Sequence, residues 1–403
     1  MDLKSGYPFW AVRNGLMRAY PPLRQALRCD VLVIGGGITG ALVADELARH
    51  GHDVAVVEQR DIGWGSSAAS TALLQYEIDT HMVDLAKRYG EQAAVLAYRA
   101  CADAIPALQA LAAEVRGVDF RRGDSLYYAS RRRHRDDLRA EFGLRRKHGF
   151  GVHWLEPGDL LAAYGFQAPA AILSDLAASL DPYRMAHRLL ARLQRRGARV
   201  FDRTTIASLR PISHGVVATT ADGVQVRCGH VVLAAGYANE RWLDQRVARN
   251  RSSYAFVTDP LPAEALGPLR RTMLWESARP YLYLRSTADL RLLVGGEDDA
   301  VDVPARRDAR VDRKAHRLVA KVRRLFPQLP VKPAFAWAGT FAETRDGLPF
   351  FGAHPQWGPR VLFAMAYGGN GITYSMLGAG LLRAAIERRR HRLSGLFGFA
   401  RQE

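Results

Sequence analysis

The sequence predicts an α/β fold built around a dinucleotide-binding βαβ unit, and three features carry that prediction. Residues 31–34, Val-Leu-Val-Ile, form a short apolar run that opens directly into glycines within "VIGGGITGAL". A similar run, Val54–Val57, follows one helical segment later, and a third, "HVVLAAG" at 230–236, stands far downstream. Continuous apolar runs of this kind suit strands buried on both faces of a parallel sheet.

Between the first two runs, Ala41, Leu42, Ala44, Asp45, Leu47 and Ala48 give a helix with small residues on its packing face, closed by Gly51 as a C-cap. The second strand ends at Glu58. "CADAIPALQALAAEV" (101–115) and residues 131–149 read as helices, and 197–236 as successive strands. Residues 252–300 are strand-rich, a helix covers 306–326, and the final helix starts near Gly371. A chain of 403 residues exceeds one ordinary core, so two domains are expected.

Composition narrows the function. The net charge of +17 suggests nucleic acid at first, but only six of the 57 basic residues are Lys, and the arginines spread along the whole chain. The dense runs at 131–149 and 387–392 read as solvated helix faces in which aromatics do not alternate with the charges, so no nucleic-acid partner is expected. Cys29, Cys101 and Cys228 lack CxxC spacing, and the twelve histidines show no ligand spacing, so neither a disulfide frame nor a metal site is expected. No secretory leader or membrane-spanning run is read, which points to a cytoplasmic protein.

The chemistry lies at the two ends. In Gly35-x-Gly37-x-x-Gly40, the first glycine permits the turn off the strand, the second lets the backbone approach a pyrophosphate, and the third lets helix and strand pack closely. Glu58 stands 18 residues after Gly40, near the spacing of ≈ 20 for an acid that binds ribose hydroxyls. Its charge disfavours a 2′-phosphate. "DIGWGSSAASTALLQ" from Asp61 is an insert that an NAD-binding unit would not carry, which favours FAD. The C-terminal "AYGGNGITYS" (366–375) repeats the strand, glycine, helix order, and its helix N-terminus can donate N–H groups to an electron-rich flavin carbonyl.

With these motifs, and with "YPFWA", "VDFRRGDSLYYA", "VVLAAGYANERWL", "RLLVGGED" and "WAGTFAETRDGLPFFGAHP" between them, the chain resembles the FAD-dependent D-amino acid oxidase and glycine oxidase superfamily. The branch is similar to gamma-glutamylputrescine oxidase. The resemblance implies a discontinuous Rossmann-like FAD-binding domain and an α+β antiparallel-sheet substrate domain. Expected segments are 1–85, 151–245 and 336–403 for the first, and 86–150 and 246–335 for the second. It implies noncovalent FAD held by Gly35, Gly37, Ile38, Thr39 and Gly40, by Glu58 with Gln59 and Arg60, by Ser66, Ser67, Ile206 and Gly236, and by Gly369, Asn370, Gly371, Ile372 and Thr373 at the ring's carbonyl edge. The implied reaction is oxidation of a C–N bond by hydride transfer to flavin, with oxygen or another electron acceptor downstream.

Departures from the family pattern bear on the substrate. Phe341 and Thr373 stand where relatives place an arginine or lysine for a carboxylate, and Leu293 replaces a lysine beside the flavin. Gly339 and Ala69 stand where covalent attachment would need cysteine or histidine. In "RPYLYLR", period-two alternation puts Tyr281, Tyr283 and Arg285 on one face and Leu282 and Leu284 on the other. The first three are the expected contacts for a small amine substrate, Arg285 as an anion fork; the alternative places them on the outer face of the sheet. A second functional reading is a flavin-binding partner subunit, attached to a membrane surface or another protein by the basic tail "LLRAAIERRRHRLSGLFGFARQE".

Overall fold

A computed structural model describes residues 2–402 and contains two sheets. The central path of the first runs through Phe350–Ala353, Val361–Met365, Gln225–Leu233, Leu27–Ile34, Val54–Val57 and Arg199–Phe201. From Val361–Met365 onward every junction is parallel. Val31–Ile34 and Val54–Val57 are buried throughout, which is why they read as unbroken apolar runs. The strands come from three separated stretches of chain, 27–57, 199–233 and 350–365, so the domain is discontinuous.

The second sheet orders Pro333–Glu343, Arg249–Pro260, Arg291–Asp299, Leu282–Ser286, Thr272–Glu276, Arg121–Tyr128, Ala171–Ser179 and Leu73–Gln75, with Val152–Leu155 beside Ala171–Ser179. It is antiparallel except where Thr272–Glu276 meets Arg121–Tyr128. The segment limits expected from the sequence cut across it. Leu73–Gln75, Val152–Leu155 and Ala171–Ser179 fall in stretches assigned to the cofactor domain, and Pro333–Glu343 straddles the limit at 335. Local patterning reveals a strand but not the sheet it joins, which depends on partners distant in sequence.

The helix Ile38–Arg49 packs against the last long helix, Gly371–Ile386, in one core shared with Glu91–Val115 and Pro182–Arg195. Thr39 Oγ1 and Ser375 Oγ, 2.8 Å apart, join the first turns of the two helices. Beyond Ile386 the basic tail folds back. Leu393, Phe397 and Phe399 are buried, and Arg401 donates to the carbonyls of Pro349, Leu396 and Leu348. Those apolar side chains are therefore engaged within the chain's own fold instead of facing an outside surface.

Three neighbouring parallel strands, Leu27–Ile34, Gln225–Leu233 and Val361–Met365, end on the same side and run into glycine- and alanine-rich stretches: Gly35–Gly37, Ala234–Gly236 and Ala366–Gly371. Ligands of open parallel sheets bind outside the carboxyl ends of the strands. Here that space is closed on its far side by the face of the antiparallel sheet, so both glycine loops and the second sheet wall one cavity.

Candidate functional site

The first loop is built for close approach. Gly35 adopts φ +121°, and a Cβ there would stand 2.3 Å from the Ala234 carbonyl oxygen; a Cβ on Gly40 would stand 1.8 Å from the Gly35 oxygen. Only glycine fits either position. Gly37 caps the helix Ile38–Arg49 with no side chain of its own, Ile38 N is taken by Ser67 Oγ, and Gly37, Ile38 and Thr39 at the helix start line the cavity. Glu58 accepts from Gly36 N at 2.8 Å and from Arg60 N at 3.0 Å, so its carboxylate is held at the cavity wall. Burial pushes this carboxyl up, and the N–H donors of Gly36 and Arg60 pull it back.

Ser66 and Ser67 separate into two roles. Ser67 Oγ, also on the cavity wall, accepts from Ile38 N at 2.8 Å and so braces the loop. Ser66 Oγ lies on the cavity wall, buried and without a partner, a hydroxyl left for a ligand. Gln59, Arg60, Ile206 and Gly236 also line the cavity, and the Ile206 carbonyl accepts from Arg241 at 3.1 Å. Asn239 pins the middle loop by accepting from Ala235 N and donating to the Leu233 and Ala364 carbonyls.

The last loop is fastened to the extended segment 75–79. Gly369 N donates to Asp79 Oδ2 at 2.8 Å, Asn370 Nδ2 to the Glu77 carbonyl at 2.6 Å, and Thr373 Oγ1 to the Gln75 carbonyl at 3.3 Å. Gly369, Asn370, Gly371 and Ile372 line the cavity; Thr373 is buried, bonded to the Gln75 carbonyl, and is not part of the lining. Glu77 is itself fully buried in a network with Arg145 and Glu141, which anchors the segment that anchors the loop.

Across the cavity, the antiparallel sheet presents Ser253, Trp275, Tyr281, Tyr283, Asp298, Gly339, Phe341 and Glu343. Leu282 and Leu284 are buried in the core beneath, as alternation requires. Tyr283 Oη is 3.1 Å from Ser253 Oγ, and its ring lies where a Cβ on residue 295 would be, so Gly295 makes room for it. Burial raises both tyrosines above the ordinary range, so they are neutral hydroxyls at physiological pH.

Arg285 departs from expectation. It shares the tyrosine face but lies one pleat further along, outside the cavity and buried. Its guanidinium donates to the carbonyls of Thr71 at 2.7 Å, Leu180 at 3.2 Å and Ser286 at 3.2 Å, under the Trp10 ring. Those carbonyls occupy the donors that an anion would need. Sequence reasoning also missed Asp79 and Asp298, which with Glu343 are the acids on the cavity wall beside the tyrosines. No motif marks them, because Asp79 is brought in by its bond to residue 369 and Asp298 by the pairing of its strand.

Glycines that a Cβ would block, an orphan serine hydroxyl, a ribose-type acid and a second helix N-terminus on the same cavity fit a flavin dinucleotide. This is the site of a flavoprotein oxidoreductase. The chain belongs to the DAO family of FAD dependent oxidoreductases, whose model matches residues 30–385. It is 29% identical over 375 residues to a glycine oxidase of Geobacillus kaustophilus, covering 90% of this chain and 94% of that one. To the gamma-glutamylputrescine oxidoreductase of Escherichia coli it is 26% identical over 400 residues, covering 94% and 89%. The fold matches the crystal structure of L-proline dehydrogenase from P. horikoshii with a TM-score of 0.79 at 17% identity, covering 94% of this chain and all of that one (100%). FAD is its cofactor, and the enzyme acts within a family that oxidises amines and amino acids.

Proposed function

We propose that this enzyme oxidises the C–N bond of an amine or N-substituted amino acid at the Tyr281–Tyr283 wall, with FAD held noncovalently between the two glycine loops. Bound FAD supplies the acceptor for a hydride from the carbon next to nitrogen. The substrate leaves as an imine, which water hydrolyses to a carbonyl compound and an amine or ammonia, and electrons pass on to oxygen or another acceptor. Gly37 and the first turn of Ile38–Arg49 would hold the pyrophosphate, Glu58 the ribose, and Gly371 and Ile372 at the second helix start would offer N–H groups to the flavin ring. Tyr281 and Tyr283, protonated and facing the cavity, orient the substrate by hydrogen bonding; a neutral bound amine needs no strong base to lose its hydride.

The observation that carries this reading is the single cavity walled by both loops and the tyrosine face. No described helix is long and apolar enough to cross a membrane.

Anaerobic mixing with an amine panel tests the proposal. An amine should bleach the flavin and yield its carbonyl product. Glycine and D-alanine should be slower by about ten- to a hundredfold, since Phe341 and Thr373 offer their carboxylates no cation. Equally fast bleaching by glycine or D-alanine would overturn the amine preference, and failure of every amine and amino acid would overturn the reaction itself.

A further inference from the structure

The charged residues on the cavity wall fall into two groups. Glu58, Arg60 and Arg241 lie at the end where the first loop and Ile206 sit. At the tyrosine end the wall carries Asp79, Asp298 and Glu343, and no lysine or arginine. Glu343 is neutralised by Arg251 at 2.8 Å and by Arg279 at 3.4 Å. Asp79 and Asp298 form no ion pair among the described residues. Asp79 accepts one backbone N–H, from Gly369, and Asp298 Oδ1 is shut away from solvent with no hydrogen-bond partner.

Aromatic rings frame the same place. Tyr237, Trp275, Tyr281 and Tyr283 all line the cavity, and Trp275 and Tyr283 are direct neighbours across adjacent strands. Carboxylates set among aromatic faces make the chemistry that binds an ammonium group, through charge-assisted hydrogen bonds on one side and cation–π attraction on the other. Two buried acids held near each other are costly even with the Arg279 charge in the neighbourhood, and a bound cation offsets that cost.

We propose that Asp79 and Asp298 form an ammonium subsite for a second, non-reacting nitrogen, so that the substrate is a diamine or polyamine. The proposal rests on the amine-oxidising reading above. The reacting nitrogen is a poor candidate for this position, because a neighbouring carboxylate favours its protonated form, and a protonated amine has no lone pair with which to form the imine. A nitrogen several carbons away has no such constraint. The acids also explain why no arginine or lysine lines this end of the cavity: a carboxylate-bearing substrate would meet like charge here.

The test compares 1,4-diaminobutane, 1,5-diaminopentane and spermidine with n-butylamine, n-pentylamine and 4-aminobutyrate. The holoenzyme is used under nitrogen, and both the spectral perturbation on binding and the rate of flavin bleaching are read. The diamines should bind about ten- to a hundredfold more tightly than monoamines of equal chain length, and 4-aminobutyrate more weakly than either. In Asp298→Asn, and in Asp79→Asn, which keeps an acceptor for Gly369 N, the ratio of diamine to monoamine affinity should fall toward one. A ratio near one in the wild type, or one unmoved in both variants, overturns the subsite while bleaching by monoamines leaves the amine-oxidising reading intact. Tight, Asp298-dependent diamine binding without bleaching by any amine supports the subsite and overturns that reading instead.

Discussion

The Gly369 N–H and the Asp79 carboxylate are joined at 2.8 Å across 290 residues of sequence. With the Asn370–Glu77 and Thr373–Gln75 bonds, this contact fastens the last glycine loop to the chain that leaves the first cofactor segment. The two ends of the sequence thereby become two walls of one site.

Asp79→Ala should weaken FAD binding, because Gly369 N loses its charged acceptor; Asp79→Asn, which retains a carbonyl oxygen, should lose less. The expected loss for alanine is roughly 1.5–3 kcal/mol, about ten- to a hundredfold in affinity. Fluorescence titration of the apoprotein with FAD measures it, and equal affinities for wild type and the alanine variant would remove Asp79 from the loop's support.

Glu58→Ala should reduce FAD affinity by a similar factor, since the carboxylate both braces Gly36 and Arg60 and faces the cavity. Glu46, on the helix Ile38–Arg49, would not serve as a control because it is paired with Arg383 at 2.7 Å. Asp222, with 73% of its side chain exposed, is a better one. Equal FAD content in Glu58→Ala and Asp222→Ala would contradict the ribose role.

FAD should be released into the supernatant by acid precipitation. Gly339 and Ala69 meet at the cavity, where a Cβ on residue 339 would stand 3.1 Å from the Ala69 Cβ, and neither residue carries a nucleophile. Yellow colour retained in the washed pellet would show a covalent bond.

Much of this was legible in the sequence because it is local. Gly35, Gly37, Gly40 and Glu58 announce themselves by spacing within a single βαβ unit, and Gly369–Ile372 by the order strand, glycine, helix. Alternation correctly placed Tyr281, Tyr283 and Arg285 on one face. It could not say how far along that face the cavity extends, and one pleat separates Tyr283 in the cavity from Arg285 beneath Trp10. Asp79, Asp298 and the membership of Val152–Leu155 in the antiparallel sheet were not legible, because each depends on partners distant in sequence.

Asp298 should make stability fall as pH rises. Burial, with Asp79 and Glu343 nearby, pushes its carboxyl up to about 7, against the pull of the Ser253 hydroxyl and Arg279. Tyr281 and Tyr283, the other titratable groups facing it, stay neutral in this range. A raised acid pKa contributes stability that is complete below its ordinary value of 3.8 and is lost as pH rises through about 7. Asp298→Asn should therefore gain Tm relative to wild type at pH 8 and lose that gain at pH 5. A difference in Tm that does not change with pH would contradict the shift.

The central claim is that two loops at opposite ends of the chain hold one FAD, and paired ligand titrations test it most directly. The wild type should bind one FAD per chain and should also bind ADP, which reaches only the first loop. Gly37→Val, whose Cβ clears everything but Ser67 Oγ at 3.1 Å, should lose both ligands by obstructing the pyrophosphate. Gly369→Val, whose Cβ would stand 2.9 Å from an Asp79 oxygen, should keep ADP affinity and lose about tenfold or more for FAD. A stoichiometry of two, or FAD binding as tight in Gly369→Val as in the wild type, would contradict the claim.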